Sequence, residues 1–232
     1  MKKVVKFGGS SLANAEQFQK VGDIIRSEES RRYVVPSAPG KRFSADTKVT
    51  DLLYACYDKA EAGEDFSDIL TEIKSRFYEI IKGLNLDLSL EEEFRQIEAD
   101  FKAHAGKEYA ASRGEFLNGK VMAAYLGYEF IDSATVIRFD KNGNFDADKT
   151  DKLLAKRLQK CERAVIPGFY GGMEDGTVKT FSRGGSDVTG SIVARALKAD
   201  MYENWTDVSG FLAADPRIVN NAKPINVITY KE

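Results

Sequence analysis

Histidine is almost missing from this chain: His104 is the only one among 232 residues. It stands in the polar stretch DFKAHAGKEY and reads as a solvated helical residue. That leaves little room for Ser-His-Asp, Cys-His or His-rich metal chemistry. Cysteine is scarce too. Cys56 and Cys161 are far apart and form no CxxC, which argues against a disulfide framework or a cysteine zinc site and for reduced thiols in a cytoplasmic setting. There is no basic excess: 34 Lys and Arg face 36 Asp and Glu, for a net charge of −2. A general nucleic-acid binder is therefore not expected. No apolar run approaches the roughly 20 residues that span a bilayer. The first residues, MKKVVKF, lead straight into Gly8-Gly9 without the apolar core of a signal peptide.

What is present is ordinary core-forming matter, 43% hydrophobic and 30% charged residues. No repeat, low-complexity tract or linker interrupts it, so one compact domain is expected.

Short apolar runs alternate with helical periodicity. KVVKF and RYVVPSA read as buried strands, the second ending at Pro36. Between them NAEQFQKVGDIIRSEES sets Phe18, Val21 and Ile25 on one helix face, with Asn14 as N-cap. From Val49 to about Leu126 the pattern is helical. FSDILTEIKSRFYEIIKG carries Phe66, Ile69, Ile73, Phe77 and Ile80 on a stripe. SLEEEFRQIEADFKAH opens like a capped helix, Ser89 lying three residues before Glu92. KEYAASRGEFLNGKVMAAYLG is a long helix with an awkward Gly114. YEFID, TVIRF, RAVIPGF, GTVKTF and DMYENWTDVSGF read as strands; DADKTDKLLAKRLQK and SDVTGSIVARALKA read as helices. This alternation predicts an α/β fold, doubly wound, with a mainly parallel sheet and helices on both faces.

Four stretches carry chemistry. In KFGGSS a strand runs into Gly8-Gly9, where backbone can approach a ligand closely, and Lys6 adds a cation beside the helix start that follows. The residues alone favour a plain tight turn over a phosphate site. TFSRGGSDVTGS repeats the strand-Gly-Gly-helix junction, with Arg183 as a guanidinium fork, Ser186 as N-cap and Asp187 in the first turn. SRGEFLNGK places Arg113, Gly114 and Glu115 inside an apolar helix pattern, where glycine costs about 1 kcal/mol against alanine. In WTDVSGFLAADPRIV, Thr206-Asp207 ends a strand, and Asp215-Pro216 turns the chain before Arg217.

KFGGSS, SAPG…VTDLL, SRGEFLNG, FSRGGSD and WTDVSGF…ADPRIV, in that order, resemble the catalytic domain of the aspartate kinase (aspartokinase) family, over nearly the whole chain. Each motif alone is weak; five in register are specific. The resemblance implies the amino-acid kinase fold, a three-layer α/β/α sandwich with a mainly parallel central sheet. It also implies that residues 1–232 form the catalytic domain, an N-terminal substrate lobe followed by a C-terminal nucleotide lobe. The family continues past Glu232 with regulatory ACT domains, so the chain is expected to be truncated and to lack amino-acid feedback inhibition.

The implied reaction moves the γ-phosphoryl group of ATP to the side-chain carboxylate of L-aspartate. It gives 4-phospho-L-aspartate, on the route to lysine, threonine and methionine. By similarity, Lys6 and Asp187 with Gly8 and Gly9 are catalytic: Lys6 neutralises phosphate charge, the glycine amides cradle the phosphoryl group, and Asp187 organises Lys6. Arg183 would pair with an aspartate carboxylate and Glu115 with its ammonium, while Ser37, Thr50 and Ser186 add hydrogen bonds. Lys6, Phe7, Gly8, Gly9, Thr206, Asp207, Phe211, Leu212 and Arg217 would hold the nucleotide. Leu212 stands where many members of the family carry tyrosine. Mg²⁺ would be held mainly by ATP oxygens, with no protein metal site. The expected partners are L-aspartate and ATP, with no nucleic acid and no membrane. The full-length parent is expected to be a cytoplasmic homo-oligomer.

Overall fold

The computed structural model describes residues 1–182, 184–206 and 218–223. β1 (Lys3–Phe7) leads through a 3-10 turn at Gly9–Leu12 into α1 (Ala15–Arg26) and then β2 (Arg31–Pro36). Asn14 caps α1, its side chain accepting the Gln17 N–H at 3.0 Å, and Phe18, Val21 and Ile25 are buried. Four helices follow: α2 (Val49–Glu61), α3 (Ser67–Gly83), α4 (Glu91–Lys102) and α5 (Lys107–Leu126). The chain then forms β3 (Glu129–Phe130), the short α6 (Ser133–Val136), α7 (Ala147–Leu158) and β4 (Ala164–Val165). β5 (Tyr170–Gly172), β6 (Val178–Thr180), α8 (Gly185–Leu197) and β7 (Met201–Trp205) follow.

Among the described residues, the main sheet has five parallel strands in the order β3-β4-β2-β1-β7. Strand side chains alternate between its faces. Val5, Phe7, Val34 and Val165 pack with α1 to α5. Val4, Tyr33, Val35 and Ala164 pack with α6 to α8. Two apolar layers on opposite faces of one sheet make the three-layer sandwich. β5 and β6 form a separate antiparallel hairpin.

Gly114 and Gly119 have a packing reason. A Cβ at Gly114 would lie 2.8 Å from the Ala38 Cβ, and one at Gly119 would lie 2.6 Å from a Pro167 ring carbon. The two glycines let α5 press onto the segments that follow β2 and β4, drawing those loops under one helix.

Several local expectations differ from what is observed. TVIRF is not a strand. Asp132 caps Ala134 N–H at 3.0 Å and its carbonyl accepts from Thr135 Oγ1 at 2.6 Å, which winds Ser133–Val136 into a helical turn. Only isolated bridges at Arg138 and Phe139 remain. The N-cap of α4 is Leu90 rather than Ser89, whose hydroxyl accepts the Glu91 N–H at 3.3 Å. α8 is capped by Gly184, at φ 75°, so Ser186 lies inside the first turn. His104 lies just past α4 at φ 56°, exposed, its Nδ1 2.8 Å from Glu61 Oε1. The WTDVSGF stretch beyond Thr206 lies outside the described residues.

Gly114→Ala should destabilise the protein. Alanine's helix propensity favours it by about 1 kcal/mol, but overpacking against Ala38 costs about 1–3 kcal/mol. A urea midpoint at or above that of the parent would show that α5 has room to spare at this point.

Candidate active site

The loops after β1, β2 and β4 converge at the carboxyl end of the parallel sheet, where α/β folds take their ligands. Lys6 shares the strand face of Val4 and is buried, its Nζ 2.7 Å from Asp187 Oδ1 in the first turn of α8. The backbone at Gly9 passes very close to the loop after β2. A Cβ there would lie 2.7 Å from the Ala38 carbonyl oxygen, and Gly40 N–H donates to Gly9 O at 2.8 Å. Gly40 has the matching constraint: its Cβ would meet Gly9 backbone at 2.6 Å. The glycines are thus required for two backbones to cross.

The amide of Gly8 donates to Trp205 O at 3.3 Å, continuing the β1–β7 ladder. That N–H is paired within the sheet in this structure. The amides of Gly9 and Ser10 open the 3-10 turn, where the first N–H groups have no partner within the turn. The Phe7 side chain is buried and stacks on Trp205, with ring centroids 6.1 Å apart, and its carbonyl accepts the Ser37 N–H at 3.1 Å.

A cleft of about 430 Å³ opens here, lined by Gly9, Ser10, Ser37, Lys41, Lys48, Thr50 and Glu115 among others. Glu115 is only 6% exposed, and its Oε2 has no hydrogen-bond partner. Burial pushes its carboxyl up to about 8, against the opposing pull of the Ala38 and Glu115 backbone amides and of Arg113. An acid this desolvated favours its neutral form until a cation arrives.

Ser37, Thr50 and Glu115 therefore line one cleft with Gly9. Lys6 and Asp187 pair beside the same turn. Ser186 packs on Gly168, where a Cβ would lie 2.5 Å from Ser186 Oγ, and Gly168 N–H donates to Pro36 O at 3.0 Å. Thr206 is exposed, directly after Trp205. Arg183, Asp207, Phe211, Leu212 and Arg217 lie outside the described residues.

Two residues escaped the sequence reading. Asn118 is fully buried and donates through Nδ2 to Ser37 O at 2.6 Å. It follows Glu115 by three residues, on the same helix face, which was its only signal. Arg76, 2% exposed, donates to Thr47 O at 2.5 Å and Gly40 O at 2.6 Å. Its Nη2 also lies 3.5 Å from Asp46 Oδ2. Arg42 chelates the same Asp46 and holds its carboxyl well below the usual range. The loop behind the cleft is thereby fixed from beneath. A charged residue inside the apolar stripe Ile73-Phe77-Ile80 was the available clue.

The profile of the amino acid kinase family matches residues 1–232. The chain belongs to that family. Among curated amino acid kinase family members, it is 40% identical over 245 residues to aspartokinase 3 of Bacillus subtilis, covering 99% of this chain and 54% of that protein. The solved aspartate kinase of Clostridium acetobutylicum superposes with a TM-score of 0.96 at 53% identity, over 100% of this chain and 54% of the other. Escherichia coli aspartokinase III, solved in complex with aspartate and ADP, gives a TM-score of 0.81 at 28% identity, over 97% of this chain and 53% of that one. The chain thus spans about half the length of the relatives it matches.

Because the folded pKa of Glu115 is raised, its contribution to stability is full below about 4.5 and is lost as pH rises through about 8. Glu115→Gln should therefore gain on the parent across that window, by roughly a few kcal/mol at its upper end. Urea unfolding of both proteins from pH 5 to 8.5 checks this. A constant difference between them would mean that Glu115 is already ionised in the empty cleft.

Proposed function

We propose that the protein is an aspartate kinase, transferring the γ-phosphoryl group of ATP to the side-chain carboxylate of L-aspartate. The product is 4-phospho-L-aspartate, the first intermediate toward lysine, threonine and methionine. The observation that carries the reading is Glu115: a buried carboxyl with one oxygen, Oε2, left without a hydrogen-bond partner, facing a cleft beside a Gly-Gly turn and a buried lysine. A cleft of that kind suits an acceptor with an ammonium group. The likeness to aspartate kinases over the full chain supports it further.

The acceptor carboxylate is ionised at neutral pH, with an ordinary pKa of about 3.9, so no general base is required. One carboxylate oxygen bonds to the γ-phosphorus as the bond from that phosphorus to the β–γ bridging oxygen breaks, and ADP leaves. The protein's task is positioning and charge neutralisation. Glu115 receives the ammonium, which draws its proton off. Ser37 and Thr50 line the acceptor cleft, Ser186 stands at the start of α8, and Arg183 pairs with a carboxylate. Lys6, oriented by Asp187, neutralises charge on the phosphoryl group, and the turn at Gly8 and Gly9 cradles it. Thr206, Asp207, Phe211, Leu212 and Arg217 hold the nucleotide.

Among the described residues, no group of three or more His, Cys, Asp or Glu could hold a metal ion. Magnesium carried on the nucleotide phosphates would supply further charge neutralisation. No described helix is long and apolar enough to cross a membrane. A cytoplasmic enzyme acting as a homo-oligomer is the accompanying proposal, with residues 1–232 as its kinase unit.

A coupled ADP-release assay with L-aspartate, L-glutamate, carbamate and UMP tests the acceptor. Turnover is expected with L-aspartate; full activity on another acceptor with none on aspartate would overturn the assignment. Lys6→Ala should lower kcat by about 100-fold or more, the scale of removing one charge-stabilising group, with the circular dichroism spectrum unchanged. Retention of most of the rate would remove Lys6 from the mechanism.

A further inference from the structure

Arg113 is a buried cation that the proposed reaction does not use. It is 7% exposed, and among the described residues no carboxylate lies within the 4.0 Å ion-pair limit of it. Its Nε and Nη2 both donate to the neighbouring Ser112 Oγ, at 3.0 and 2.8 Å. Its guanidinium carbon lies 4.4 Å from the centre of the Tyr109 ring, 4.5 Å from Phe116 and 5.5 Å from Tyr170. Ring faces offset part of the cost of burying the charge. They do not supply the carboxylate that a buried arginine ordinarily meets.

Arg113 forms part of the wall of a cavity of about 210 Å³ between α4 and α5, with Gln96, Ile97, Tyr109 and Phe116 as further walls. Two acids stand at its rim, and each already has a cation. Glu93 Oε1 is 2.7 Å from Lys120 Nζ, and Glu92 pairs with Arg95. Tyr109's hydroxyl donates to Asp100. Among the described residues, Arg113 is the charged residue lining this groove that has no oppositely charged partner, and it stands between aromatic walls.

We propose that the α4–α5 groove is a binding site for a small monocarboxylate with a flat apolar body, its carboxylate on Arg113 and its body between Tyr109 and Phe116. The site is separate from the acceptor cleft, with which its lining residues have none in common. It is nonetheless two residues from Glu115 on the same helix. Glu115 feels the Arg113 charge, which pulls its carboxyl downward. An anion neutralising Arg113 would weaken that pull, so occupancy of the groove would be felt in the acceptor cleft.

Benzoate is the probe, with benzamide as its neutral isostere, each titrated calorimetrically into the protein. Benzoate should bind with a Kd of about 1 mM or tighter, and benzamide at least tenfold more weakly, since the charge-assisted bond is lost. Arg113→Met should reduce benzoate affinity at least tenfold. Because that variant removes a buried group and could unfold, Gln96→Trp, a change at the exposed mouth of the groove, provides the second test and should block binding equally. Benzoate binding unchanged in Gln96→Trp, equal affinity for benzamide, or no binding at about 10 mM would each overturn the proposal. None of these readouts needs kinase activity, so the proposal can fail while the kinase assignment stands, and the reverse.

Discussion

The site depends on one close approach of backbone to backbone. Gly9, at the end of β1, and Gly40, in the loop after β2, leave no space for a side chain between them. Gly114 on α5 repeats the arrangement against Ala38. The Gly8-Gly9 turn, the loop after β2 and the helix carrying Glu115 are thus held at contact distance by atoms no substitution can shorten. Arg76 and Asp46 fix the loop from beneath, so its position does not rest on the glycines alone.

Against that rigid frame, the cleft is energetically unfinished. Glu115 Oε2, in the cleft wall, is a buried polar atom with no hydrogen-bond partner, and Asn118 Oδ1, deeper on the same helix, is another. Leaving such groups unmatched costs about 1–3 kcal/mol each. Structures retain that cost where a ligand later relieves it. A desolvated carboxyl at the cleft wall favours a donor-rich, cationic group. Lys6 differs, because Asp187 already supplies its countercharge. One end of the site thus comes with its charges matched and the other does not.

Much of this could be read from the sequence, and the exceptions share a physical pattern. β1, α1, β2, the stripe on α3 and the length of α5 followed from periodicity, because each buries one face against a single layer. TVIRF did not, because capping by Asp132 overrode β propensity. The start of α8 was misplaced by two residues because a left-handed glycine took the cap that serine would ordinarily take. In the site, Gly8, Gly9, Glu115 and Asp187 were visible as ordered motifs. Arg76 was not, since its partners are backbone carbonyls 29 and 36 residues away. The occupied amide of Gly8 was hidden for the same reason: its acceptor, Trp205, lies at the other end of the described chain.

The alternation within β1 sets a limit on how this protein can change over time. Val5 and Phe7 face the layer of five helices, while Lys6 points the other way, toward α8. The apolar members of this strand could be exchanged for others of similar size. One residue added or deleted inside the strand would turn the ammonium into the apolar layer among Leu12 and Phe18 and point an apolar group at Asp187. Substitutions in this strand are therefore graded in their effect, whereas a change of length by one is not. Descent with insertions is open to the long loops and closed to these five residues.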